Sequence, residues 1–213
     1  RHAKQSILRW QTPGASCVLN DHDPDVSGWS SHGQRFGFGI DQGARPGVFL
    51  CGEDHQAAVV RLSESTVEIP LGHWVTMAGH HNRLNAAAAT AVALLAGAGL
   101  DDVRSGLRGF KGLPHRLQLV AQRDGRRYYN DSLATTPESV EVALAAFDSP
   151  VVLLAGGYDK RIPLQGLAET IVEGTRAVAL MGQTAEEVDR LLDGLGFQGG
   201  RRVCGSLEEA FDW

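Results

Sequence analysis

Apolar positions along this chain come first in short runs and later in longer blocks. Ala15-Ser16-Cys17-Val18-Leu19-Asn20 reads as a short buried strand, and it ends in the acidic loop Asp21-His22-Asp23-Pro24-Asp25, where Pro24 forbids helix. Strand ends of this kind hold ligands in α/β sheets. From Gly33 to Glu68 the runs alternate and are broken by glycine, as in Arg35-Phe36-Gly37-Phe38-Gly39-Ile40 and Val59-Val60-Arg61-Leu62, which predicts antiparallel β-hairpins. Helical spacing then takes over from about Asn82 to Gly97, and again from Asp101 to Gly109, the second opening on acids and closing on glycine.

After Gly112-Leu113-Pro114 the rhythm changes. Strands are predicted at Leu117–Val120 and Arg127–Asn130, followed by a helix through Val140 to Phe147. Val151-Val152-Leu153-Leu154-Ala155 and Ala177-Val178-Ala179-Leu180-Met181 each run into glycine and then into helical sequence, which is the βαβ pattern. Continuous apolar strands imply burial on both faces, hence a parallel, doubly wound sheet. The fold class is α/β, with a domain boundary near Leu113.

Composition narrows the partners. At 213 residues and 43% hydrophobic content, the chain can bury one large core or two smaller ones. A net charge of −5 argues against nucleic acid, whose phosphates are held by clustered Lys and Arg. Cys17, Cys51 and Cys204 are far apart and show no metal-ligand spacing, so a reducing compartment fits. The longest apolar run, Ala86 to Leu100, is shorter than the ~20 residues of a membrane-spanning helix, so no membrane partner is expected. The first residues carry neither an initiator Met nor a signal-peptide core, and the last follow a helix with no closing strand. Both ends read as cut from a longer protein.

Four segments carry candidate chemistry, and each also has a plain structural explanation. Asn130-Asp131-Ser132-Leu133-Ala134-Thr135-Thr136-Pro137-Glu138 puts polar groups before a Pro-started helix, where free N–H groups attract a phosphate or carboxylate. Taken alone, a Thr N-cap with Pro at the first helical position is the better account of it. Gly156-Gly157-Tyr158-Asp159-Lys160 allows close backbone approach beside a compact cation, yet glycine pairs after strands are common turns. In Gly79-His80-His81-Asn82-Arg83-Leu84-Asn85 two amides share one helix face and can read a purine edge; an Asn82 cap with a solvated Asn85 is the alternative. Phe110-Lys111-Gly112-Leu113-Pro114-His115-Arg116 joins the two domains and places a bidentate phosphate ligand there, unless Arg116 is a surface residue.

Taken in order, AxKxxI (Ala3 to Ile7), VLNDxD (Val18 to Asp23), GxHNxxN (Gly79 to Asn85), FxGLPHR (Phe110 to Arg116), NDSxAT (Asn130 to Thr135) and GGxxK (Gly156 to Lys160) resemble Mur ligases of the MurD type. The resemblance spans nearly the whole chain, and FxGLPHR with NDSxAT is its most specific part. It implies part of a central ATPase-like domain over residues 1–112. It implies a Rossmann-like, glutamate-binding C-terminal domain over 113–213, with the phosphate loop and the final glutamate-binding segment outside these residues.

The activity implied is ATP-dependent addition of D-glutamate to UDP-N-acetylmuramoyl-L-alanine in peptidoglycan precursor synthesis, through an acyl phosphate, by a monomeric cytoplasmic enzyme using ATP and Mg²⁺. By position, Lys4 matches a lysine that the family carbamylates to hold Mg²⁺. Asn82 and Asn85 match residues at the adenine, Arg116 one at the phosphates and Asp131 one at the ribose. His115 lies beside these, and Thr135 and Lys160 match the glutamate pocket. Leu133 departs from the family's NDSKAT lysine and keeps open a related branch that joins L-glutamate to the same precursor. A non-catalytic nucleotide-binding module is the reading of a different class.

Overall fold

The computed structural model describes residues 2–41 and 45–213. It divides into two compact units, Arg1–Lys111 and Gly112–Trp213, each described by itself.

The first unit contains helix α1 (His2–Arg9) and strands β1 (Ser16–Asn20), β2 (Gln34–Ile40), β3 (Gly47–Cys51), β4 (Ala57–Arg61) and β5 (Val67–Ile69). Helices α2 (His80–Leu95) and α3 (Leu100–Gly109) follow. The five strands form one sheet in sequence order. β3–β4 and β4–β5 are antiparallel as expected, but β1–β2 and β2–β3 are parallel. Alternation of side chains is the same in either direction, so the pattern from Gly33 to Glu68 could not reveal this.

β3 is buried along Gly47–Leu50 on both faces. Val48 and Leu50 join Ala58, Val60, Ile69 and the Ala86, Ala87 and Ala91 face of α2 in the main core of this unit. Small alanines let the helix lie close to the sheet, which is why α2 looks weakly amphipathic in sequence yet is firmly buried. Gly79, not Asn82, occupies the N-cap of α2. Asn82 sits a turn further in, and its side-chain amide donates back to Ala78 O at 2.6 Å. α3 bears out the acidic start, where the Asp102 carboxylate accepts from Gly99 N–H at 3.0 Å, but not the glycine cap: Gly109 is the last helical residue and Phe110, in extended backbone, is the C-cap.

The second unit contains β6 (Gln118–Arg123), β7 (Arg126–Asn130), α4 (Pro137–Leu144), β8 (Val151–Gly157), α5 (Gln165–Gly174), β9 (Thr175–Gly182), α6 (Ala185–Gly194), β10 (Gly200–Val203) and α7 (Leu207–Asp212). β6 and β7 make a separate antiparallel hairpin. The remaining strands form a parallel sheet ordered β10-β9-β8.

β9 is central and buried on both faces. Val178 and Leu180 pack with Ile171 of α5 and with Val188 and Leu192 of α6, while Ala179 packs with Ala210 of α7 and with Cys204. That is the doubly wound arrangement. Complete removal of a side chain such as Leu192 from water contributes about 1.5–3 kcal/mol. Among the described residues β8 pairs with β9, and Val152 is 51% exposed. α7 begins on a reciprocal cap, with Ser206 Oγ accepting from Glu209 N–H and the Glu209 carboxylate accepting from Gly205 N–H.

Candidate active site

In the second unit, loops that are distant in sequence are tied together at the strand ends. The 112–118 loop is unusual, because His115 (φ 62°) and Leu117 (φ 42°) both take left-handed backbone that side chains other than glycine avoid. Hydrogen bonds to the loop after β7 hold them there. His115 O accepts from Leu133 N–H at 3.1 Å, and Asp131 Oδ1 accepts from Leu117 N–H at 2.9 Å. Gln118 Oε1 accepts from His115 N–H at 2.9 Å.

The same contacts fix the imidazole. Asn130 Oδ1 accepts from Ser132 N–H, which orients the amide so that Asn130 Nδ2 donates to His115 Nδ1 at 3.0 Å. Nδ1 therefore acts as the acceptor, and a neutral His115 carries its proton on Nε2. Arg116, between the two strained residues, extends an exposed side chain. FxGLPHR and NDSxAT thus fold into one polar platform. One Asp131 oxygen is committed to the loop.

The platform continues to the end of β8. Lys160 Nζ donates to Thr135 O at 3.5 Å, bringing the GGxxK lysine to the NDSxAT threonine. Thr136 occupies the N-cap of α4 with Pro137 inside the first turn, as the sequence predicted. The Glu138 backbone N–H and then the Thr136 hydroxyl hold the exposed Glu138 carboxyl below the ordinary carboxylate range.

Sequence reading missed Gln183. Its backbone N–H donates to Gly157 O at 3.0 Å and its side-chain Oε1 accepts from Asp159 N–H at 3.2 Å, so it grips the Lys160 loop from the neighbouring strand. The only local signal was a polar residue after the glycine that ends β9.

The other expected residues lie in the first unit. Lys4 is exposed on α1, Asn82 is half-buried and Asn85 is exposed on the first turns of α2. The acidic loop after β1 is spent on structure. Asp21 bridges Arg35 at 3.2 Å and Arg45 at 3.1 Å, while Asp23 Oδ1 accepts from the N–H groups of Asp25 and Val26. Beside α2, the His55 and His80 rings lie 4.6 Å apart, and burial, then His55, Arg83 and His81, push the His80 imidazole below its ordinary value. Among the described residues no three His, Cys, Asp or Glu side chains gather as a metal site, and no helix is long and apolar enough to cross a membrane.

Comparison with known proteins agrees with these motifs. Residues 115–213 match the family described as Mur ligase, glutamate ligase domain. A UDP-N-acetylmuramoylalanine–D-glutamate ligase of Symbiobacterium thermophilum is 34% identical over 98% of this chain and 46% of its own length. One from Roseiflexus sp. is 47% identical over 86% of this chain and 41% of its own. The chain thus spans less than half the length of these relatives. Among solved structures, MurF from Acinetobacter baumannii superposes with a TM-score of 0.72 at 21% identity, over 99% of this chain and 47% of that one; at that identity the likeness shows the fold.

Proposed function

The chain belongs to the Mur ligase family, and from that premise we propose that it carries ATP- and glutamate-handling parts of an ADP-forming ligase. The reaction is addition of D-glutamate to UDP-N-acetylmuramoyl-L-alanine. The observation that supports it best is the platform of the second unit, where Asp131, His115, Thr135 and Lys160 are linked by polar contacts of 2.9–3.5 Å and by the loops that carry them.

In this reading residues 1–112 belong to the ATP-binding domain and residues 113–213 to the glutamate-binding domain. ATP transfers its γ-phosphoryl group to the terminal carboxylate of the nucleotide precursor and leaves as ADP. The glutamate amine then attacks the acyl carbonyl, forming the amide and releasing phosphate and a proton. Asn82 and Asn85 serve the adenine; the Asn82 amide has one hydrogen committed to Ala78 O and keeps its oxygen for the base. Asp131 offers its second oxygen to a ribose hydroxyl, and Arg116 suits the phosphates because a guanidinium binds them in bidentate fashion.

His115, whose Nδ1 accepts from Asn130, presents its Nε2–H as a donor beside the phosphates, and such donors act most strongly where charge develops. Thr135 and Lys160 hold a glutamate carboxylate and so direct the amine. Magnesium accompanies ATP, and a carbamylated Lys4 is the residue assigned to it, since carbamylation replaces a repelling cation with a carboxylate. The protein works as a monomer in the cytoplasm.

Leu133 favours a second reading. The family's usual lysine is replaced by a leucine 52% exposed on the platform, which removes a cation from the acceptor region and leaves the L-glutamate branch open. Phosphate release by the full-length protein with ATP and UDP-N-acetylmuramoyl-L-alanine, assayed with D- and L-glutamate separately, decides between them. Release with neither overturns the ligase reading. Within that assay Lys160→Ala is expected to raise the glutamate KM at least tenfold, on the order expected for a lost charge-assisted contact, and the ATP KM far less. Equal effects on both would remove Lys160 from the glutamate pocket.

A further inference from the structure

We propose that Gln183 is the positioning residue that sets Lys160 for the amino-acid substrate, an inference that rests on the ligase reading above. Lys160 lies in an exposed loop beyond the β8–β9 ladder, which ends at the Gly157–Gly182 pair. An exposed lysine retains much rotamer freedom, so a carboxylate meets it in a fixed place only if the backbone beneath it is held. Two anchors flank it. On one side Gln183 Oε1 accepts from Asp159 N–H at 3.2 Å. On the other, Arg161 N–H donates to Asp159 Oδ1 at 2.6 Å, with Arg161 itself in left-handed backbone at φ 57°.

The first anchor comes from another strand, whereas the second is internal to the loop. Remove the Gln183 acceptor and the Asp159–Arg161 turn survives, but it is no longer tied to the sheet. Lys160 then moves with its loop instead of with β9. The Gln183 main chain is untouched by such a change, because its own N–H still donates to Gly157 O. The side-chain contact is therefore separable from the strand pairing, and Gln183 is exposed, so substitution there does not disturb the core.

The test uses the full-length protein. Gln183→Met keeps the length and loses the acceptor; Gln183→Glu keeps an acceptor oxygen, and high salt screens its added exposed charge. Gln183→Met is expected to raise the glutamate KM roughly fivefold, the scale of one lost neutral hydrogen bond, with ATP KM and melting temperature unchanged. Gln183→Glu in high salt is expected to stay close to the wild type measured in the same salt. Hydrogen exchange supplies the second readout: in a peptide covering 157–161, Gln183→Met is expected to lose protection that Gln183→Glu retains.

Unchanged glutamate KM and unchanged protection in Gln183→Met would overturn the inference while leaving the ligase reading intact. Equal rises in both KM values would also overturn it, since that result reports a general structural defect. A wild type that releases no phosphate with either glutamate isomer removes the ligase reading, and this inference with it.

Discussion

Replacing Gly182 with alanine should damage the second unit more than the same change at Gly196, and the difference can be worked out from the backbone. Both glycines have left-handed φ, +77° at Gly182 and +70° at Gly196. A side chain in that region costs about 1–2 kcal/mol, partly offset by ~0.4–1 kcal/mol because alanine restricts the unfolded chain. Those contributions are shared and cancel in the comparison. At Gly196 a new Cβ meets nothing within 4 Å, whereas at Gly182 it falls 2.8 Å from Gly157 O and 3.0 Å from Gly157 N. Both contacts are backbone atoms at the end of β8, so the strand end itself must shift, and overpacking of this kind costs about 1–3 kcal/mol.

Gly182→Ala is therefore expected to destabilise the second unit by about 1–3 kcal/mol more than Gly196→Ala. Hydrogen exchange in rising urea, followed on peptides spanning residues 151–203, measures this unit separately from the other. Equal losses in the two variants would show that Gly157 does not lie against Gly182, and the account of the Lys160 loop would fail with it.

Two further outcomes concern the first unit. Because His80 is held below its ordinary pKa, chiefly by burial, the unfolded chain takes up the proton first as the solution is acidified. The stability linked to this neutral imidazole is present above the unfolded value near 6.5 and is lost as pH falls below it. Urea midpoints for this unit should decline from about pH 7.5 to about pH 5.5, and His80→Gln should flatten that slope; an unchanged slope would remove His80 as its source. Thr90 is fully buried in α2 with no hydrogen-bond partner for its hydroxyl. Thr90→Val keeps the shape and removes the unpaired group, so it should raise stability by about 1 kcal/mol, and a loss of stability would mean that the hydroxyl is satisfied.

Local order was largely legible in the sequence. Periodicity located β1, α2, α3 and β9 because core-facing positions must repeat with the geometry of the element that carries them. Thr136-Pro137 announced the start of α4, since caps act within one turn of helix. The motifs FxGLPHR, NDSxAT and GGxxK carried the family resemblance. What the residues left undetermined was everything that depends on who stands opposite whom.

Strand alternation is identical in both directions, so the parallel pairing of β2 with β1 and β3 appeared only in the sheet. The acids after β1 resembled a ligand site until Arg35 and Arg45 were found against Asp21. His115 and Leu117 carry no signature of left-handed backbone, because contacts to Asp131, Leu133 and Gln118 impose it. Gln183 was silent for the same reason: its role is a hydrogen bond across 24 residues of sequence to Asp159, created when two strands lie side by side. Short-range forces write their pattern into neighbouring residues; a contact between distant ones leaves no periodic trace, and only the folded chain brings it into being.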